Sequence, residues 1–143
     1  MGEIVPSVKL DLVNMPLQGR HLIEASAGTG KTFSITRIYL RLLLEQELPV
    51  EQILLMTYTR AATEELRGRI EITLRSAQQH WVKYEDEFWQ QLYSKVEPQQ
   101  AQLLLHQALL NLDQAAIFTI HGFCGRALQQ YAFASQTGLE VVL

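Results

Sequence analysis

Apolar residues fall along this chain in two alternating patterns. His21 to Ala25 (HLIEA), Ile53 to Thr57 (ILLMT) and Ala115 to Ile120 (AAIFTI) are short, dense apolar runs, as expected of strands buried in a parallel sheet. Between them the spacing is helical. Ile35, Ile38, Tyr39 and Leu42 recur through Lys31 to Gln46, and Ala62, Leu66, Ile70 and Leu74 recur at intervals of four through Ala61 to Gln79. Pro49 ends the first of these helices. From Trp81 to Leu112 the pattern stays helical, with Tyr84, Phe88 and Leu92 on one face and Pro98 breaking the run before AQLLLHQALLNL. A last helix is predicted over Phe123 to Ala134, with Cys124, Ala127, Leu128 and Tyr131 turned inward. Strand, loop, helix, strand, helix, helices, strand and helix in that order predict an α/β domain, a parallel sheet flanked by helices.

Residues 1–19 mix Pro6, Asn14, Pro16 and Gly19 with isolated apolar residues and read as an irregular lead-in. The final GLEVVL reads as a strand that has just begun and would leave an apolar edge unpaired. The expectation is therefore a partial domain over residues 20–143, carrying a helical segment at 81–112 and truncated at its C-terminal end.

Composition narrows this only a little. Hydrophobic residues make up 48% and charged residues 19% of the 143, enough for one domain with its own core. No apolar run approaches the roughly 20 residues that span a bilayer, and the N-terminus lacks the basic start and apolar stretch of a secretory signal. The single cysteine, Cys124, forms no internal disulfide and fits a reducing cytoplasm. A net charge of −3 confines any nucleic-acid contact to a local groove, since there is no overall positive field.

Chemistry is concentrated where apolar runs meet helices. Ala25-Ser26-Ala27-Gly28-Thr29-Gly30-Lys31-Thr32 follows a predicted strand and opens a helix, the setting of a phosphate-binding loop. Gly28 and Gly30 permit the backbone turns that aim successive N–H groups at phosphate oxygens. The helix start adds a positive dipole end. Lys31 is placed to reach the β- and γ-phosphates of ATP, and the Thr32 hydroxyl to ligate the nucleotide's Mg²⁺. The strict pattern has Gly where this chain has Ala25; the phosphate-facing part is intact. The second strand ends in Thr57-Tyr58-Thr59-Arg60 and the third in Thr119-Ile120-His121-Gly122-Phe123. In a parallel sheet such ends share one rim. Hydroxyls and helix-start N–H groups suit nucleic-acid phosphates, and an exposed aromatic suits a base.

EASAGTGKT, LLMTYTRAATEELRGRI and AAIFTIHGFCGRAL together resemble the first motifs of superfamily 1 DNA helicases of the UvrD type, and within them the RecB-type helicase–exonucleases. The resemblance covers residues 20–135 or so. It implies a P-loop NTPase (RecA-like) fold that binds ATP and Mg²⁺ through Ala25 to Thr32, with Lys31 and Thr32 as principal residues. It further implies single-stranded DNA contacts at Thr57 to Ala62 and at Thr119, His121 and Phe123. Movement along DNA driven by ATP hydrolysis, and RecC- and RecD-like partner subunits in double-strand-break processing, follow from the same resemblance.

Plainer readings stand beside these. Tyr58 can pack against the following helix, and His121 can cap a helix as well as touch phosphate. Cys124 reads as core. Arg60, Arg67, Arg69 and Arg75 interleave with Glu64, Glu65 and Glu71, which predicts an exposed face of ion pairs, with Arg60 alone kept for DNA. His21, His80, His106 and His121 are isolated and form no metal-binding spacing. Hydrolysis also needs an acidic pair after a strand, and no apolar run here ends in Asp-Glu, so these residues alone are expected not to turn over ATP. A small P-loop kinase and a non-catalytic nucleotide-binding module remain as alternatives. The absence of arginine from 81–112, where an acceptor site or lid would be expected, speaks against the kinase.

Overall fold

The computed structural model describes residues 9–24, 30–79 and 86–135. Its regular elements are α1 (Lys31–Leu44), β1 (Leu55–Thr57), α2 (Arg60–Gln79), α3 (Glu87–Lys95), α4 (Pro98–Leu110), β2 (Ile117–Thr119) and α5 (Ile120–Ser135), with short 3-10 turns at Val50–Gln52 and Leu112–Gln114. β1 and β2 pair in parallel, with Leu55 opposite Ile117, Met56 opposite Phe118 and Thr57 opposite Thr119. The architecture is α/β, a small parallel sheet flanked by helices, as the apolar pattern predicts.

One predicted strand is not formed. Residues 21–24 are irregular, and Leu22 is 86% exposed. A strand exists only by pairing, and among the described residues β1 pairs with β2 alone. Apolar composition is not enough without a neighbouring edge. The other end of that predicted strand, Ala25, lies outside the described residues, as does the C-terminal GLEVVL.

The core is built chiefly by helices. α1, α2 and α4 pack on one another, and α2 also covers the sheet. From α2 come Leu66, Ile70, Leu74 and Ala77, and from α4 Ala101, Leu105 and Ala108, all on helical spacing. α1 differs from its predicted face. Ile35, Ile38 and Leu42 are only half-buried, whereas Tyr39, Leu40, Leu43 and Leu44 are sealed. The reason is that α1 is covered from two sides, by α2 and by α4, so its buried stripe is set by two partners and is wider than one. Each of those side chains contributes about 1.5–3 kcal/mol by leaving water.

α1 ends without glycine. Glu47 takes a left-handed φ of 54°, and the Leu48 N–H closes back to the Leu42 carbonyl at 3.3 Å before Pro49 forbids another turn. Phe88, Trp89 and Leu92 of α3 join the core, as the shared face predicts; Tyr84 lies outside the described residues. Asp86 caps α3 by accepting the Phe88 N–H at 2.9 Å. Its carboxylate is a helix cap here.

The lead-in is irregular but tied down. The Asp11 carboxylate accepts the N–H groups of Val13 and Asn14, both at 3.1 Å, and these bonds hold it below its ordinary pKa, the Asn14 side-chain bond most of all. Buried Arg41 pairs with Glu45 and donates to the carbonyls of Leu12 and Met15 at 3.0 and 2.8 Å. Lys95 donates to the Val13 carbonyl at 2.8 Å. Val13 is thereby drawn into the core.

α5 corrects a second expectation. Cys124, Ala127, Leu128 and Tyr131 are exposed, and Gly125 and Ala132 are buried instead. This helix packs on β1 and β2, so only the narrow stripe facing two three-residue strands is covered. Its apolar flank, with Phe133 at 89% exposure, is left uncovered by the described residues.

Tyr39 offers a test of this packing. It is fully buried, and among the described residues its hydroxyl has no hydrogen-bond partner. Burial, aided by the Glu51 carboxylate and opposed by Arg67, pushes the phenol up to about 12. Below the ordinary phenol value near 10 both folded and unfolded chains hold the proton, so no pH dependence arises. Between about 10 and 12 the unfolded chain releases it first, and stability falls as pH rises, by at most about 1.4 kcal/mol per unit. Urea unfolding of wild type and Tyr39→Phe at about pH 9 and pH 11 should show the variant losing less stability across that interval.

Candidate nucleotide and nucleic-acid interface

The nucleotide end of the site is described from Gly30 onward; Ala25 to Thr29 lie outside the described residues. Gly30 is the N-cap of α1 and supplies no side-chain capping bond. Ser34 and Thr36 turn their hydroxyls back to the carbonyls of Gly30 and Phe33, at 2.8 and 3.0 Å. Among the described residues no side chain accepts from the first N–H groups of the helix. At other helix starts Thr59, Asp86 and Thr119 accept at α2, α3 and α5, while at α4 Pro98 removes one donor and Glu97 makes no side-chain cap. The α1 start therefore suits an anion chemically. Lys31 is exposed there and Thr32 half-buried beside it.

The second part of the site lies on the sheet rim. Thr57 and Thr119 are register partners at the ends of adjacent parallel strands, so the two motif segments emerge level and side by side. Thr57, Tyr58, Thr59 and Arg60 lead into α2, and Thr119, His121 and Phe123 into α5. The rim brings all seven together.

Their side chains are not equally free. Thr59 Oγ1 accepts the Ala62 N–H at 3.1 Å, and Thr57 Oγ1 meets Thr63 Oγ1 at 2.6 Å and donates to the Thr59 carbonyl at 3.0 Å. Thr119 Oγ1 accepts the Gly122 N–H at 3.0 Å. A Cβ at position 122 would sit 2.9 Å from that oxygen, so glycine is what lets the cap close. The hydroxyls thus shape the rim first; because Thr59 and Thr119 accept in these caps, each keeps its O–H proton for a ligand, whereas Thr57 spends its own on the Thr59 carbonyl. The α5 cap belongs to Thr119, and His121 is exposed on the first turn. Phe123 stacks on Phe118, centroids 6.3 Å apart. Tyr58 is the aromatic offered to solvent, at 90% exposure.

Three further residues complete the rim: Arg126, which the sequence already sets at this strand-to-helix junction, and Phe118 and Thr63, which it does not single out. Arg126 lies with its guanidinium 4.7 Å from the Phe118 ring centroid. A hollow of about 450 Å³ is lined by Arg60, Thr63, Glu64, Phe118 and Arg126, among others. Spacing carried a signal for Arg126, three residues after Phe123 and so on the same helical face; Phe118 and Thr63 become legible only once β1 and β2 are paired.

The arginines of α2 behave differently from the predicted exposed face of pairs. Arg75 does pair with Glu71 at 2.9 Å. Arg67 is half-buried and donates across the fold to the Leu112 carbonyl at 3.1 Å, because its turn of α2 faces β2 and the segment leading into it.

Residues 9–141 match the UvrD/REP helicase N-terminal domain. The chain belongs to that family. The RecBCD enzyme subunit RecB of Escherichia coli is 45% identical over 138 residues, covering 88% of this chain and 12% of that protein. Its counterpart in Haemophilus influenzae is 41% identical over 152 residues, covering 94% and 12%. That of Chlamydia pneumoniae is 42% identical over 123 residues, covering 82% and 12%. The chain therefore spans about 12% of the length of these curated relatives. Among its described residues no helix is long and apolar enough to cross a membrane.

Loss of one rim cap has a predictable cost. Thr59→Ala should lower unfolding stability by about 1 kcal/mol, and Thr59→Ser should restore most of it. Thermal or urea unfolding of the three proteins measures this.

Proposed function

We propose that this chain is the N-terminal ATP-binding part of a RecB-type DNA helicase and exonuclease subunit, built as a P-loop NTPase (RecA-like) domain over residues 20–143. In the full-length protein ATP hydrolysis would drive movement along single-stranded DNA at double-strand breaks, in the cytoplasm, together with RecC- and RecD-like subunits. The printed name of its relatives, subunits of the RecBCD enzyme, supports the assembly. The level pairing of Thr57 with Thr119 carries the reading, because it sets two separately encoded strand-contact segments on one rim.

In this reading the segment Ala25 to Thr32 cradles the phosphates. Lys31 supplies the point charge for the β- and γ-phosphates, and the N–H groups of the first α1 turn receive a phosphate oxygen. Thr32 holds Mg²⁺ through its hydroxyl. On the rim, Tyr58 stacks on a base while the N–H groups around Thr59 and Thr119, with Arg60 and His121, receive backbone phosphates. Phe123 acts through Phe118 as the wall of the hollow. The described strands end in threonine at Thr57 and Thr119, not in the acidic pair that hydrolysis requires, so these residues alone are expected to bind nucleotide weakly at most and not to turn it over.

Two substitutions in the full-length protein separate the two ends of the site. Lys31→Ala should abolish ATP binding and turnover while leaving affinity for oligo-dT measurable. Tyr58→Ala should weaken oligo-dT binding by about 1–3 kcal/mol and leave nucleotide affinity unchanged. Turnover that survived Lys31→Ala would remove Lys31 from the site, and unaltered oligo-dT binding by Tyr58→Ala would remove the aromatic.

A further inference from the structure

α2 is the element through which the two halves of the rim must agree. Its first residue, Arg60, follows β1 after Tyr58 and Thr59, and its body lies against both strands. Apolar contacts hold it against the sheet but resist sliding along it weakly, since dispersion is non-directional. Directional bonds must fix its axial position. Near the rim, Thr63 Oγ1, itself buried, meets Thr57 Oγ1 at 2.6 Å and ties α2 to β1. Two turns into the helix, Arg67 Nη1 donates to the Leu112 carbonyl at 3.1 Å. That carbonyl also accepts the Ala115 N–H at 3.1 Å, and the next residue along, Ala116, accepts the Leu55 N–H at 2.8 Å. The Arg67 bond therefore grips the segment that enters β2 and, through it, the level at which Thr119 and α5 emerge.

From this geometry we infer that Arg67 is a positioning residue for the DNA-binding rim: it locks α2 to the root of β2 and so keeps Thr57–Arg60 in register with Thr119–Phe123. The inference rests on the strand-binding reading of that rim. It distinguishes Arg67 from Arg60, which sits on the rim itself, and it gives Arg67 no contact with DNA of its own. Its half-buried guanidinium is turned onto the Leu112 carbonyl, at the root of β2 and not at the strand ends. Loosening it disturbs strand binding by misaligning the two segments, while the number of phosphates neutralised stays the same.

The test uses the full-length protein, with oligo-dT titrated across a range of salt concentrations. Arg67→Met should weaken oligo-dT binding several-fold while the slope of log affinity against log salt stays at the wild-type value. Arg67→Lys, which keeps one donor for the Leu112 carbonyl, should recover most of the loss. A slope lowered by about one would show that Arg67 neutralises a phosphate directly and overturn the inference. Unchanged affinity in Arg67→Met, or a loss in Arg67→Lys as large as in Arg67→Met, would overturn it too. Should Arg67→Met fail to fold, Arg67→Gln replaces it, neutral and still an amide donor: a retained slope supports positioning, and a slope lower by about one overturns it. Wild-type protein that does not bind the oligonucleotide removes the strand-binding reading and this inference with it. Wild-type binding matched by Arg67→Met removes only the role of Arg67.

Discussion

Everything functional here hangs on the parallel pairing of two three-residue strands, β1 and β2. Parallel neighbours cannot be joined by a tight turn; the chain must travel back to the starting edge before the second strand begins. Residues 60–116 make that journey as α2, α3, α4 and the connecting turns. Two consequences follow. Both strands end at the same rim, and both are followed at once by a helix whose N-terminus opens there. A rim lined by two helix starts, each with the positive end of its dipole there, favours negatively charged ligands.

So short a sheet does not support itself, and the helices carry the stability. Tyr39, Leu40, Leu43 and Leu44 of α1 are sealed between α2 and α4, which fixes the helix that starts at Gly30 and Lys31. Polar bonds then set positions that apolar packing leaves loose. Arg41 and Lys95 clip the lead-in through carbonyls of Leu12, Met15 and Val13, and the Thr57–Thr63 and Arg67–Leu112 bonds hold α2 against the strands. Net, the neutral Thr57–Thr63 bond is worth about 1 kcal/mol and those with charged donors about 1.5–3 kcal/mol. Their importance lies in direction, since they choose one axial setting among several with similar apolar contact.

Membership of the UvrD/REP helicase N-terminal domain family and the geometry of the rim point the same way, yet they inform different residues. The family resemblance names Thr57, Thr59 and Thr119 as strand contacts. The structure adds that their hydroxyls already cap α2 and α5 or bond to Thr63. Thr59 and Thr119 can serve both purposes at once, since the hydroxyl oxygen accepts the N–H of Ala62 or Gly122 and its proton remains free to donate to a phosphate. Tyr58, with 90% of its surface exposed, is under no such prior obligation.

The sequence by itself determined the α/β alternation, the helices it predicts over Lys31–Gln46 and Ala61–Gln79, which form as Lys31–Leu44 and Arg60–Gln79, and the motif segments beside them, because periodicity and capping chemistry are local properties. It also placed Phe88 and Leu92 in the core. Tertiary structure decided the rest. Residues 21–24 carry a strand's composition but form none, since pairing needs an edge that composition does not supply. Cys124, Leu128 and Tyr131 lie on the apolar face of α5 but are exposed, since two short strands cover only a narrow stripe of it. Arg67 has the surroundings of a solvated charge in sequence and becomes a tie to Leu112, 45 positions away, because only the fold brings that carbonyl within reach.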